Sequence, residues 1–317
     1  MNRKRRCLLI STIILILVVS TLMGCSSKKD GKAEIGTKLA SQQPAVTGEK
    51  KYGNIKACIW EIKKDKATVY LFGSIHVAKK DMYPFEKTVE DAFGSSNNLV
   101  VEADVSNMAK VLKAQSKLLY LGNDDVYNHI SKEGKEKLDS YAEQLGINMN
   151  IYKKMRLWVI GTAFEQAQLQ KAGYSSTDGV DMYFLNGAKG KKKILELEGI
   201  DFQIDLINGM TEKEQENMFF ADVMDLKECE VEFNKMYDAY KAGDEKEMVK
   251  LAIEPSKEDP GSYKKMIVDR NIGMAEKSDG YLKTNDSYFV VAGLAHFIGD
   301  ESVVKLLEKK GYTVTRR

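Results

Sequence analysis

Two short stretches near opposite ends of the chain decide the fold, "VYLFGSIH" (69–76) and "FVVAGLAH" (289–296). Each is an apolar run that reaches a glycine and places a histidine three positions later. Apolar runs of this length, rich in β-branched and aromatic residues, predict buried strands. The chain contains 3 histidines, so two of the three follow a predicted strand in the same way.

Two further predicted strands lead into acidic residues. "NLVVEAD" (98–104) brings Glu102 and then Asp104, and "KKILELE" (192–198) ends at Glu198. Ligands of open α/β sheets bind beyond the carboxyl ends of the strands, so we expect these strand ends to converge. An ionisable group at the end of a buried strand is costly unless it has a partner.

The residue types at the four strand ends suit a metal. Imidazole and carboxylate together bind divalent zinc, manganese, cobalt or iron, which predicts a site built from His76, His296 and Glu102. A bound ion acidifies water, and a spare carboxylate can act as general base. The glycine before each histidine predicts a tight turn after the strand. The alternative interpretation is that the two histidines are independent structural residues.

Other polar residues have ordinary explanations when taken alone. Glu198 and Asp104 also fit helix caps or salt-bridge partners. Arg270 and Asn271, in "VDRNIGMAEK" (268–277), lie on a predicted helix whose polar residues are typical of a solvated face. Asp181 follows a glycine, as expected of a local turn.

Strands that alternate with helices predict an α/β domain, with a central mixed sheet and flanking helices. "ACIWEI" and "TVYLF" open it as a hairpin. Helical patterns dominate residues 105–170 and continue after the fourth strand, so we expect a largely helical middle subdomain. His129 lies in this region, beside a predicted helix start, and is expected to be a surface or capping residue.

The N-terminal segment predicts export. Residues 1–24 have a basic start and an apolar middle, the pattern of a lipoprotein-type signal peptide, and Cys25 would be lipidated. Residues 25–51 are polar and lysine-rich, which predicts a flexible tether. The α/β domain is predicted to span residues 52–317. The alternative is an uncleaved membrane anchor, since about 18 apolar residues nearly span a bilayer. Either one places the domain at the cell membrane, on the extracytoplasmic side.

Net charge bears on which partners the protein can bind, and cysteine content on whether it contains a disulfide. The formal net charge is +2, and removal of the four basic residues in 1–24 leaves a nearly neutral protein. We therefore expect no nucleic-acid partner. Cys58 and Cys229 could form one disulfide or remain two thiols, and the sequence does not bring them together.

Four longer stretches resemble the TraB/PrgY/GumN family, to which the Tiki metalloproteases are related. They run from "YLFGSIHVAKKDMYPF" through "NNLVVEAD" (70–104), and from "GYSSTDGVDMYFL" through "ILELEGIDFQIDLI" (173–207). "VDRNIGMAEKS" (268–278) and "YFVVAGLAHFIGDESVVKLLEKKGYTV" (288–314) complete the match in the family's order. Together they cover nearly everything from about residue 52 to the end.

The resemblance implies an α/β fold whose paired GxxH motifs and acidic residue form a metal-dependent hydrolytic site. Tiki-like members are manganese- or cobalt-dependent peptidases, and plasmid-encoded bacterial relatives limit the response to peptide pheromones. Zinc or iron would be alternative ions here. By position, the family's motifs fall on the metal ligands His76, His296 and Glu102, on the catalytic residues Glu102, Glu198, Arg270 and Asn271, and on the substrate-binding Asp181.

We therefore expect a membrane-anchored, extracytoplasmic, metal-dependent hydrolase that acts on a peptide or a secreted protein. One alternative is a lipoprotein that sequesters a peptide or small ligand, with Arg270 holding a carboxylate. Another is a metal-independent, esterase-like hydrolase with a histidine as general base. Loss of activity on exhaustive chelation would separate the first hypothesis from the last.

Overall fold

The computed structural model describes residues 52–222 and 226–317, with side chains described outside 221–227. The predicted signal peptide, the tether and Cys25 lie outside these residues. Among the described helices, none is long and apolar enough to cross a membrane.

A six-stranded mixed sheet forms the centre of the described domain. Its strands lie in the order β4-β3-β5-β2-β1-β6. Strands β4, β3, β5 and β2 are parallel, and β1 runs antiparallel between β2 and β6. The strands are β1 Ile59–Lys64, β2 Ala67–Ser74, β3 Asn98–Val101, β4 Lys193–Glu196, β5 Ser287–Gly293 and β6 Val314–Arg316. The predicted α/β class and mixed sheet are confirmed.

The hairpin of β1 and β2 pairs Lys64 with Ala67 across a two-residue turn. Asp65 in this turn has φ of 52°, a left-handed conformation that aspartate tolerates because its short side chain bonds locally. Strand β5 comes from the far end of the sequence, yet it lies between β3 and β2. This insertion makes the two strands that precede the histidines direct neighbours.

Helices surround the sheet and form the middle of the chain. They are α1 Lys87–Ser95, α2 Met108–Ala114, α3 Lys132–Leu145, α4 Met149–Tyr152, α5 Leu157–Lys171, α6 Val180–Ala188, α7 Ile200–Asn208, α8 Glu212–Asp222, α9 Leu226–Ala242, α10 Glu245–Met248, α11 Glu254–Ser256, α12 Pro260–Tyr263, α13 Asp269–Tyr281 and α14 Val303–Lys309. Helix α3 illustrates the local signals: Ser131 caps its start and Gly146, with φ of 71°, ends it.

The helices and the sheet share one hydrophobic core. At its centre Phe72 of β2 and Phe289 of β5 stack at 5.6 Å, and Phe184 of α6 packs on Phe289 at 4.8 Å. Such aromatic pairs contribute about 0.5–1.5 kcal/mol each beyond the area they bury. This packing fixes α6 against the sheet and brings its N-terminus to the carboxyl edge of the parallel strands.

Candidate functional site

The structure brings the four predicted strand ends together. Along the carboxyl edge of the parallel strands the order is Glu198, Glu102, His296 and His76, after β4, β3, β5 and β2. The backbone N–H of Glu198 donates to the carbonyl of Glu102 at 2.9 Å, and Nε2 of His296 lies 3.9 Å from Oε1 of Glu102. Residues more than 200 positions apart therefore form one centre.

His76 is oriented by Asp181, at the start of α6. Its Nδ1 lies 2.7 Å from Oδ2 of Asp181, and Ser74 donates to Oδ1 at 3.0 Å. Gly179 permits this contact, because a Cβ there would lie 2.2 Å from the carbonyl oxygen of His76. Burial lowers the pKa of His76, but the Asp181 carboxylate outweighs burial and the net pKa is raised.

His296 has an amide partner instead. Its Nδ1 lies 2.6 Å from Oδ1 of Asn271, whose Nδ2 donates to the carbonyl of Glu301 at 2.8 Å. That second bond fixes the amide, so Nδ1 of His296 carries the proton and Nε2 presents a lone pair. Nε2 is buried and has no hydrogen-bond partner among the described residues. Burial, and then the positive charge of Arg270, hold the pKa of His296 well below its usual value.

Glu102 is fully buried between these groups and accepts three hydrogen bonds. The N–H of Gly293 donates to Oε1 at 2.7 Å, while Arg270 and Gln203 donate to Oε2 at 2.6 and 2.9 Å. Burial raises the pKa of Glu102, and the guanidinium of Arg270 opposes that shift. Oε1 accepts one hydrogen bond from the described residues, which leaves it a second lone pair, and it lies 3.9 Å from Nε2 of His296.

Arg270 is occupied by protein groups. It holds Glu198 with Nε and Nη2, at 2.9 and 2.8 Å, and its Nη1 donates to the carbonyl of Met266 at 3.1 Å. Burial lowers the pKa of Arg270, but Glu102 and Glu198 outweigh this and raise it. The expectation that Arg270 clamps a ligand carboxylate therefore has no support in this geometry, since every guanidinium nitrogen already has a protein acceptor.

Gln203 is a member of the site that sequence reasoning missed. Its Nε2 donates to Oε2 of Glu102 and, at 3.0 Å, to Oε2 of Glu198. The available signal was a glutamine on the otherwise apolar face of α7, where Ile200, Ile204 and Ile207 are also buried.

The two motif glycines differ: Gly73 makes no tight turn, which corrects the expectation for the first motif, whereas a 3-10 turn over Leu294–His296 directly follows Gly293, as expected. Gly73 lies within β2, and a Cβ there would meet Cδ1 of Leu294 at 2.3 Å and its Cα at 3.1 Å. Gly293 has φ of −49°, and its Cβ would lie 3.4 Å from Oε1 of Glu102 and 3.8 Å from both Nε2 of His76 and Cδ2 of His296. The first glycine lets the strand ends pack, and the second faces the space between the histidines and Glu102.

The donor set of the centre fits a cation. Glu102 and Glu198 pair with the guanidinium of Arg270, and Asp181 pairs with His76, so the centre carries a net charge of −2 when the three carboxylates are ionised and both histidines are neutral. The unpartnered Nε2 of His296 lies opposite a free lone pair of Glu102, at a separation two ligands of one ion adopt, about 3–4 Å. The described residues contain no group of three or more His, Cys, Asp or Glu side chains already placed to hold a metal.

The centre has a narrow contact with solvent. The side chains of His296 and Glu102 are 0% exposed, whereas those of His76 and Glu198 are 9% and 6% exposed. Solvent therefore reaches the centre at its two ends, beside β2 and beside β4.

The other sequence candidates lie elsewhere. His129 is partly exposed and bonds Asp124 at 2.8 Å and Glu212 at 2.6 Å, as expected of a surface residue. Asp104 accepts from the hydroxyl of Ser106 at 2.6 Å and stays outside the centre. Cys58 and Cys229 are both buried and form no disulfide, and burial raises the pKa of Cys58 to about 11.

Comparison with known proteins gives a family and no described activity. The model of the TraB/PrgY/gumN family matches residues 58–316. An uncharacterized protein of Treponema pallidum (strain Nichols) is 24% identical over 267 residues, which cover 79% of this chain and 80% of that protein. The uncharacterized protein YbaP of Escherichia coli (strain K12) is 28% identical over 149 residues, 45% of this chain and 53% of YbaP. No solved structure matches.

Proposed function

The chain belongs to the TraB/PrgY/gumN family, and from this premise we propose that it is a divalent-metal-dependent hydrolase that acts on peptide or protein substrates. The observation that carries the proposal is the buried, unpartnered Nε2 of His296 beside the free lone pair of Glu102. A buried polar atom without a partner costs about 1–3 kcal/mol, a cost that a bound ion would remove.

His76, His296 and Glu102 would hold the ion, with manganese or cobalt favoured by the family resemblance and zinc or iron as alternatives. When bound, the ion would supply Lewis acidity and lower the pKa of a water molecule. Asp181 and Asn271 keep both imidazoles in the tautomer that presents Nε2 to the centre.

Arg270 and Glu198 act in this proposal as positioning residues. Their bidentate pair restrains one oxygen of Glu102 and leaves the other directed at His296. Glu198 also lies at one of the two ends of the centre that contact solvent, where a substrate could arrive. Asp181 has both oxygens engaged by His76 and Ser74, so its proposed contribution is to orient His76 rather than to bind substrate.

The proposal extends to location and partners. Residues 1–51 support a protein anchored to the cell membrane through a lipid on Cys25, with its domain on the extracytoplasmic side. The substrate would then be an extracytoplasmic peptide or a secreted protein, and no nucleic acid is involved.

One observation favours a second candidate, metal-independent hydrolysis. His296 is held neutral with a free Nε2, which is the state that a general base requires. The ligand-sequestering alternative is weakened, because the group expected to hold a carboxylate, Arg270, is engaged by Glu102 and Glu198.

The deciding experiment measures Mn²⁺ and Co²⁺ binding to the purified full-length protein by isothermal titration calorimetry. We expect one ion per chain, no binding by the His76→Ala/His296→Ala double variant, and normal binding by His129→Ala, which removes a histidine outside the centre. Peptide cleavage that disappears on chelation and returns with Mn²⁺ would follow. A folded wild type that binds neither ion, or cleavage that survives chelation, would contradict the proposal.

A further inference from the structure

Gln203 is a polar side chain at the centre to which the proposed function gives no task. It lies on α7 and is only 2% exposed. The neighbours on its buried face are isoleucines, so packing alone would be served by an apolar residue.

The amide of Gln203 has one possible orientation. Nε2 carries two protons and donates to Oε2 of Glu102 at 2.9 Å and to Oε2 of Glu198 at 3.0 Å. The flipped amide would place its own oxygen against two carboxylate oxygens, which repel it. The observed orientation leaves Oε1 buried without a hydrogen-bond partner among the described residues. The two hydrogen bonds from Nε2 to carboxylates therefore offset the cost of leaving Oε1 without a partner.

Those bonds decide which oxygen of Glu102 faces the centre. Gln203 and Arg270 both donate to Oε2, and among the described residues only the N–H of Gly293 donates to Oε1. Without Gln203, Oε2 of Glu102 would lose one of its two donors, and the carboxylate could rotate so that Oε1 no longer lies toward His296. With Gln203 in place, Oε1 remains 3.9 Å from Nε2 of His296.

We propose that Gln203 is a positioning residue for a divalent-cation site between Glu102 and His296, and that it sets the affinity of that site. The inference rests on the proposed metal-dependent function. Residues that orient metal ligands in this way change metal affinity by about 10–100-fold when they are replaced.

The test compares Mn²⁺ affinity in the full-length wild type, in Gln203→Met and in Gln215→Met. Methionine keeps the volume of glutamine and removes both ends of the amide. Gln215 is the matched control: it is also buried, and its amide donates to the carbonyl of Met210 at 3.1 Å. Calorimetry gives the dissociation constant, the electron paramagnetic resonance of bound Mn²⁺ reports its ligand field, and thermal melting reports the fold.

We expect Gln203→Met to weaken Mn²⁺ binding by about tenfold or more and to alter the resonance, with Gln215→Met unchanged in both. If Gln203→Met does not fold, Gln203→Asn replaces it, since its amide is one methylene too short for both carboxylates. Wild-type affinity and resonance in a folded position-203 variant would overturn this inference and leave the proposed function standing. A folded wild type that binds no Mn²⁺ would overturn both.

Discussion

The two GxxH segments share a sequence pattern and build opposite halves of the centre. His76 lies near the solvent edge and is paired with the carboxylate of Asp181, which raises its pKa. His296 is fully buried and is paired with the neutral amide of Asn271, and its pKa is lowered. Since the motifs match, the difference comes from what other elements supply: α6 brings a carboxylate to one histidine, and α13 brings an amide to the other.

The same contrast holds for the glycines that open the motifs. Leu294 of the other motif packs directly against Gly73, whereas Gly293 borders the space between His76, His296 and Glu102. A repeated motif therefore indicates a shared site but does not assign the same physical role to each copy.

The largest expected effect is on stability, from a substitution on α13, the helix that supplies the partner of His296. Arg270→Met leaves Glu102 and Glu198 buried without a counter-charge, and we expect a loss of about 3–5 kcal/mol in the free energy of unfolding. Urea denaturation measures this. Lys264→Met, which breaks an exposed pair with Asp269, is the control and should cost about 1 kcal/mol or less. Equal effects of the two substitutions would show that the buried cluster does not depend on its arginine.

The next largest expected effect is the loss of stability when the first motif glycine, Gly73, is replaced by alanine. In Gly73→Ala the new methyl group clashes with Leu294, and we expect a loss of about 1–3 kcal/mol of stability. In Gly293→Ala the methyl group meets only ordinary contact distances, so stability should change by less than about 1 kcal/mol.

The same methyl group at position 293 occupies the space between the proposed ligands. We therefore expect Gly293→Ala to weaken Mn²⁺ binding by about tenfold or more, an effect that calorimetry on the folded variant measures. An unchanged affinity, or a stability loss that exceeds that of Gly73→Ala, would reverse the roles given to the two glycines.

Asp181→Asn tests the smallest effect, by giving His76 a partner like that of His296. The raised pKa of His76 in wild type stabilises the fold below the ordinary histidine pKa of about 6.5, and this stabilisation is lost as pH rises through the folded-state pKa. The variant lacks the carboxylate, so the pKa of His76 should fall, as nuclear magnetic resonance titration would report.

The stability difference between wild type and Asp181→Asn should therefore be most favourable to wild type near pH 5 and should shrink toward pH 9. Its slope is at most about 1.4 kcal/mol per pH unit for one proton. Denaturation at a series of pH values measures it. A difference that does not vary with pH would mean that Asp181 supports His76 by packing alone.

Much of the sheet could be predicted from the sequence, because buried strands require apolar runs and their ends are marked by polar residues. The strands that lead to His76, Glu102, Glu198 and His296 are where the pattern predicts them. The family resemblance added Arg270 and Asn271, which helical pattern alone would have placed on a solvated face.

The partners of these residues could not be predicted, because hydrogen bonds between distant elements leave no periodic signal. Arg270 was expected to hold a ligand carboxylate, yet each of its three nitrogens donates to a protein carboxylate or carbonyl. Gln203 belongs to no recognisable motif, and one polar residue on an apolar helix face does not indicate which groups it hydrogen-bonds.

The sequence by itself determined that the chain forms an α/β sheet with ionisable residues at four strand ends, since hydrophobic periodicity and turn residues act over short distances. Only the tertiary structure decided that these ends are adjacent, which histidine is paired with a charged group, and which oxygen of Glu102 lies toward His296. Those outcomes depend on the insertion of β5 between β3 and β2 and on the packing of α6, α7 and α13 around it. They are set by contacts between residues far apart in the chain, where charge, burial and hydrogen-bond geometry have to be satisfied together.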